Sequence, residues 1–305
     1  MEIVVFGAGS LGSLIGGLLA RIHDVTLVGR NPHMRTVDEQ GLRISGHIET
    51  TVQPHARTTS PENADLAVVC VKGFDTEAAA RALSACDPEC VLSLQNGMGH
   101  ESTLDDHLSG TILAGTCTYG AITPTAGEVR CTGVGNVVLG APDGGESATA
   151  DRIGAAFKKA DIVTEIATDM PLRLWKKLAV NAGLNPITAL SRVPNGAVLD
   201  GATSETAMAA ARETARVARR DGIDLREETA ERALEQVAID TAENVSSMRQ
   251  DMESRGRTEI DSINGYIVDR AAHHGISVPV NRTLSSLVRA WEANQGLRER
   301  SVAVE

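Results

Sequence analysis

Lysine and aromatic side chains are both scarce in this chain of 305 residues. Its five lysines are Lys72, Lys158, Lys159, Lys176 and Lys177, and Trp, Tyr and Phe number 2, 2 and 3. With 29 basic against 40 acidic residues, the net charge is -11, and no Lys/Arg cluster supplies the basic face that phosphate neutralisation needs. A nucleic-acid partner is therefore excluded. No apolar run approaches the roughly 18–20 residues of a membrane helix, so no membrane partner is expected. The apolar start at Ile3–Phe6 is too short for a signal sequence and lacks a basic leader, so the expected location is the cytoplasm. The five cysteines, at 70, 86, 90, 117 and 131, lack disulfide-framework spacing and read as reduced thiols. Cys86 and Cys90 have no Cys/His partner pair nearby, so no metal site is expected.

What is present has a β-α-β rhythm. Short β-branched and aliphatic runs at 2–7, 24–29, 65–72 and 91–95 alternate with helix-like segments and Gly/Pro/Asn punctuation. The near-continuous apolar run Leu66–Val71 suits a parallel strand covered on both faces, hence a doubly wound α/β fold. Residues 111–139, rich in Thr, Val and Gly, read as antiparallel strands appended to that sheet. A helix near 148–160 and a strand at 162–166 complete a dinucleotide-binding domain at 1–168. Strand signals then vanish, and residues 169–305 read as an all-helical substrate domain broken at Pro186, Pro194, Gly222, Gly256 and Gly275. Ile260, Ile263, Ile267 and Ala271 repeat at helical spacing and mark one buried stripe.

Gly7-Ala8-Gly9-Ser10-Leu11-Gly12 follows the first strand and opens a helix. In that context the first glycine permits a tight turn and the second a close approach to pyrophosphate. The third lets helix and strand pack, and the helix N-terminus attracts phosphate. Where an NAD enzyme carries an acidic residue for the ribose 2′-hydroxyl, this chain has Gly29-Arg30-Asn31. The guanidinium favours a 2′-phosphate, so NADP (as NADPH) is the expected cofactor, with NADH left open. A merely solvated Arg30 is the competing explanation. Lys72, closing an apolar strand where doubly wound sheets bind ligands, adds a second cation; a strand-end lysine reaching for solvent is the alternative.

From Leu178 to Pro186 every residue except Asn181 and Asn185 is apolar or glycine. Lys177, Asn181 and Asn185 stand at i, i+4 and i+8 and form one polar stripe on a helix buried nearly all round. Buried polar groups need partners, so the stripe faces a polar cavity or ties neighbouring helices together. Lys176 adjoins Lys177 but does not share that face. A cavity-facing ammonium beside two amides suits reduction of a keto acid, which needs a proton donor for the developing alkoxide and donors for the carboxylate.

Several motifs occur in order along the chain: the amino-terminal glycine motif, Gln95-Asn96-Gly97-Met98-Gly99, Lys177–Asn181 with Asn185-Pro186, and Pro194-Asn195-Gly196. They are followed by Asn244–Asp251 and Thr258–Gly265. Together they resemble the signatures of the ketopantoate reductase family over essentially the whole length. The resemblance implies a Rossmann-type domain, Gly7 to Gly12 included, followed by a helical domain like that of 6-phosphogluconate dehydrogenase. It also implies NADPH-dependent reduction of 2-dehydropantoate to (R)-pantoate, the alternatives being a related two-domain dehydrogenase of another 2-keto or 3-hydroxy acid and a non-catalytic NADP-binding sensor. Lys177 would be the general acid and Glu259 the partner that orients or tunes it, also near the cofactor. Asn96 would lie beside nicotinamide and substrate, and Asn181, Asn185, Asn195 and Ser247 would bind substrate. Without the resemblance, Glu259 reads equally as a glutamate of a helix's first turn. Asn244 and Asp251 would be supporting residues, the first equally a helix cap. The His273-His274 pair reads as a solvated helix end, and a homodimer is a further expectation.

Overall fold

A computed structural model describes residues 1–298, and the chain divides into two compact units between Met170 and Pro171. The first unit contains β1 (Glu2–Phe6), α1 (Ser10–Leu19), β2 (Asp24–Val28), α2 (His33–Gln40), β3 (Leu42–Gly46), β4 (Thr50–Val52), β5 (His55–Arg57) and β6 (Leu66–Val69). It continues with α3 (Thr76–Leu83), β7 (Cys90–Ser93), α4 (His100–Asp105), β8 (Thr111–Cys117), β9 (Gly120–Thr125), β10 (Glu128–Gly133), β11 (Val137–Gly140), α5 (Ala148–Lys159) and β12 (Thr164–Ile166).

Eight of these strands form one sheet in the order β12-β11-β8-β7-β6-β1-β2-β5, parallel except for β11 against β8. Alternate side chains of β6 enter different cores. Leu66 and Val68 join one cluster with Phe157, and Ala67 and Val69 join another with Leu83. That two-sided burial is why the run is apolar without alternation. The appended strands do not all join this sheet, as the sequence pattern suggested. Only β8 and β11 do, while β9 and β10 pair with β3 and β4 in a second sheet, ordered β4-β3-β10-β9, that packs on α1. Composition showed strand propensity there, but pairing depends on β3 and β4, some 80 residues earlier in the chain.

The second unit is helical: α6 (Met170–Ser191, beginning at the boundary), a 3₁₀ turn at Asn195–Leu199, α7 (Gly201–Arg220), α8 (Glu227–Asp240) and α9 (Ser247–Glu253). A single π-helical turn, Asp261–Gly265, then leads into α10 (Tyr266–His273), and α11 (Pro279–Asn294) follows. The expected break at Pro186 is absent, for α6 runs through it. Proline removes the N–H that would bond the carbonyl four residues back, that of Ala182. Asn264 Nδ2 donates to that carbonyl instead, at 3.1 Å.

Asn264 belongs to a buried lattice of polar side chains. Its Nδ2 also donates to Asn281 Oδ1 at 2.9 Å, and Asn281 Nδ2 donates to Ala210 O and Glu213 Oε2. Glu213, in α7, also accepts the N–H groups of Val280 and Asn281 at the start of α11. Four elements are thereby joined where helix packing alone would leave them free to slide. Asn281→Ala, which leaves Asn264 and Glu213 short of partners, is expected to lower stability by about 3 kcal/mol in urea unfolding.

Candidate active site

In the first unit the glycine-rich turn is held by contacts too close for larger residues. Gly7 has φ +102°, and a Cβ there would lie 2.6 Å from the Val71 nitrogen. A Cβ on Gly12 would lie 2.2 Å from the Gly7 oxygen, whereas one on Gly9 would meet nothing within 4 Å. The first and third glycines therefore serve packing. The second keeps its backbone open beside the N-terminus of α1, a cradle that fits a pyrophosphate and that a side chain would fill.

The turn after β2 comes up against this cradle. A Cβ on Gly29 would stand 2.9 Å from that of Ala8. The Arg30 side chain is 92% exposed, with Nη2 3.5 Å from Asp75 Oδ2. Such a surface pair contributes little to stability and readily exchanges its carboxylate for a phosphate. Asp75 lies in the turn opened by Lys72, and Asp75 N–H donates to Lys72 O. Buried Gln95 donates through Nε2 to Val71 O (3.1 Å) and to Thr76 Oγ1 (2.8 Å), fastening the Lys72 turn to the loop that carries half-buried Asn96. Asn96 O accepts from His100 Nε2 at 2.8 Å.

A further group on this unit is not apparent from sequence motifs. Gly127 N–H donates to His33 Nδ1 at 3.0 Å, so the imidazole lone pair is there and the ring proton is on Nε2. Nε2 donates to Ser13 Oγ (3.0 Å), and Ser13 Oγ donates to Ala8 O (3.2 Å). The result is a one-way relay from the β9–β10 turn, through the start of α2, to the glycine-rich turn. Burial holds the His33 pKa below its ordinary 6.5, which keeps the ring in the neutral form the relay requires. Ser13 stands directly after the glycine motif and His33 three residues after Arg30, but their pairing is a tertiary fact.

In the second unit Lys177, Asn181 and Asn185 share one face of the continuous α6. Lys176 is exposed and Lys177 half-buried, which separates the two lysines. Asn195 is 7% exposed at the start of the 3₁₀ turn; its Nδ2 donates to Thr241 Oγ1 at 2.9 Å. Its Oδ1 is buried and has no hydrogen-bond partner among the described residues, an acceptor suited to a substrate hydroxyl. Exposed Ser247 opens α9, whose N-cap is Ser246 rather than Asn244. Ser246 Oγ accepts from Arg249 N–H and from Thr188 Oγ1 of α6 (2.7 Å), so the start of α9 is tied to the helix that carries the stripe.

Glu259 is 6% exposed and lies in a segment clamped on both sides. Before it, the N–H and hydroxyl of Thr258 donate to fully buried Glu292 at 2.8 and 2.7 Å. After it, Asp261 accepts from Arg289 Nε at 2.8 Å and from Arg298. Burial alone would raise the Asp261 pKa, but the hydrogen bonds from Arg298 and Arg289 hold it below the ordinary value. Glu259 therefore sits in an ordered turn immediately before the π-helical one, not in the first turn of a regular helix. The histidine pair is not simply solvated: His274 Nε2 and Arg270 converge on Asp221.

The comparisons with known proteins cover both units. The family described as ketopantoate reductase PanE/ApbA matches residues 3–144, and its C-terminal part matches residues 169–292. The chain is 43% identical to the 2-dehydropantoate 2-reductase of Halobacterium salinarum over 95% of this chain and 98% of that one. It is 39% identical to that of Archaeoglobus fulgidus, over 96% and 98%. Among solved structures, a PanE/ApbA family ketopantoate reductase from Ralstonia eutropha superposes with TM-score 0.89 at 31% identity, covering 97% of this chain and 100% of that one. D-mandelate dehydrogenase with NADH and anilino(oxo)acetate shares the fold, with TM-score 0.91 at 24% identity over 98% and 100% of the two chains.

The relay makes His33 testable apart from the glycine motif. His33→Ala is expected to weaken dinucleotide binding on the order of tenfold, read by fluorescence titration, as the glycine-rich turn loses its outer support.

Proposed function

The chain belongs to the ketopantoate reductase family, and from that premise we propose that it reduces 2-dehydropantoate to (R)-pantoate with NADPH, a step toward pantothenate and coenzyme A. The observation that carries the reading is the polar face of α6, where Lys177, Asn181 and Asn185 stand on a helix whose other residues from Leu178 to Ala189 are buried. The absence of a nucleic-acid partner accords with the acidic composition, and a small-molecule substrate and a cytoplasmic location are part of the proposal. Homodimer formation remains part of the proposal.

In the first unit Gly9 and the N-terminus of α1 receive the pyrophosphate, and Arg30 with Lys72 receives the 2′-phosphate. Arg30 must exchange Asp75 for that phosphate. Local cations are needed because a net charge of -11 repels an anionic cofactor at long range. Bound NADPH supplies the hydride to the keto carbon. Asn96 would orient the reacting carbonyl of the substrate.

In the second unit Lys177 stabilises the negative charge developing on the substrate oxygen and donates the proton that completes the alcohol. Glu259 orients the ammonium. Asn181, Asn185, Asn195 and Ser247 hold the substrate's carboxylate and hydroxyls, with the unpaired Asn195 Oδ1 as the acceptor for a hydroxyl.

Purified protein is expected to oxidise NADPH when ketopantoate is added, followed at 340 nm. Lys177→Ala should lower kcat by about 10²–10⁴-fold while NADPH still binds; full turnover in that variant would overturn the assignment. Arg30→Ala should raise KM for NADPH at least about tenfold and leave KM for NADH nearly unchanged. An equal effect on both cofactors would remove Arg30 from the phosphate site.

A further inference from the structure

The proline inside α6 creates a hydrogen-bond acceptor that a regular helix would not offer. Residue 186 has no N–H to close the bond to the carbonyl of Ala182, and Ala182 is fully buried, so water does not supply the missing donor. Asn264 supplies it at 3.1 Å. A carbonyl can only accept, so the amide nitrogen is fixed as the atom facing α6, and its bond to Asn281 Oδ1 follows the same direction.

The position of this bond matters more than its existence. Ala182 adjoins Asn181 on the helix that carries Lys177. Asn264 lies five residues after Glu259, inside the π-helical turn closed by Gly265 N–H onto Ile260 O. The amide therefore joins the element of the proton donor to the element of the acidic residue. Tight packing limits slippage on the α6 side, where a Cβ on Gly183 would stand 2.7 Å from the backbone oxygen of Ala207.

A chain that needed only a satisfied helix carbonyl would need neither residue. An ordinary amino acid at 186 would close the bond within the helix, and position 264 could be apolar. Proline and asparagine together convert a bond internal to α6 into a cross-link.

We propose that Asn264 is a positioning residue, whose bond to the Ala182 carbonyl freed by Pro186 sets the spacing of Lys177 and Glu259. The proposal rests on the roles given to those two residues above.

The test compares Asn264→Ala with the double variant Asn264→Ala/Pro186→Ala, in which α6 regains its own N–H donor. Asn264→Ala is expected to lower both the thermal midpoint and kcat, the latter by about 10- to 100-fold, since a displacement of about 1 Å costs that much. The double variant should regain the part of the thermal midpoint lost with the bond to Ala182 O, though not the part lost with the bond to Asn281 Oδ1, and should not regain kcat. Its pH profile of kcat should stay displaced from that of the unaltered enzyme, and NADPH affinity should be unchanged. Recovery of kcat together with stability would overturn the proposal, because Asn264 would then do no more than satisfy a carbonyl. Should Asn264→Ala fail to fold, the double variant alone decides, since its α6 is internally bonded. Lys177→Ala, run in parallel, separates the layers: full activity there removes the underlying assignment, whereas a dead Lys177→Ala beside a fully active double variant removes only the role of Asn264.

Discussion

A buried amide that meets a carbonyl stripped of its helical partner organises the second unit. Asn264 donates to Ala182 O and to Asn281, and Asn281 hands the chain of bonds on to α7 through Ala210 O and Glu213. Each link is fully buried, so each must be satisfied or the fold pays a desolvation penalty of about 1–3 kcal/mol. Apolar contacts would tolerate a shift of one helix along another; directional bonds between buried partners do not. The polar stripe of α6 and the Glu259 segment thus lie on elements joined by side chains buried between the helices.

The first unit reaches its geometry differently. There the close approach of backbone to backbone at Gly7 and Gly12, and of backbone to the Ala8 methyl at Gly29, shapes the turn, and side chains fasten it from outside through His33 and Ser13. The second sheet matters here because its β9–β10 turn supplies the first donor of that relay. Arg30, by contrast, is left exposed in an ion pair that costs little to exchange. Rigid backbone and exchangeable charge are combined in the one unit.

Much of this was legible in the sequence because it follows from local rules. The glycine motif, the parallel strand at Leu66–Val69 and the i, i+4, i+8 spacing of Lys177, Asn181 and Asn185 each carry their meaning within a short window. Expectations failed where a distant partner decided. Proline at 186 reads as a helix break, but Asn264, 78 positions away, repairs it. Strands at 120–133 read as extensions of the main sheet, but β3 offered an edge and claimed them. The Ile260–Ala271 periodicity correctly marked a buried face, though it gave no sign of the π-helical turn that precedes α10.

The sequence by itself determined the two kinds of unit, the glycine-rich turn, and the lysine with its two amides, since period, composition and spacing act over a few residues. Tertiary structure alone decided which carboxylates and amides meet: Glu292 with Thr258, Asn264 with Ala182, His33 with Ser13 and Gly127. The physical reason is that a hydrogen bond depends on distance and direction in space, and residues far apart in the chain acquire both only when the core closes around them.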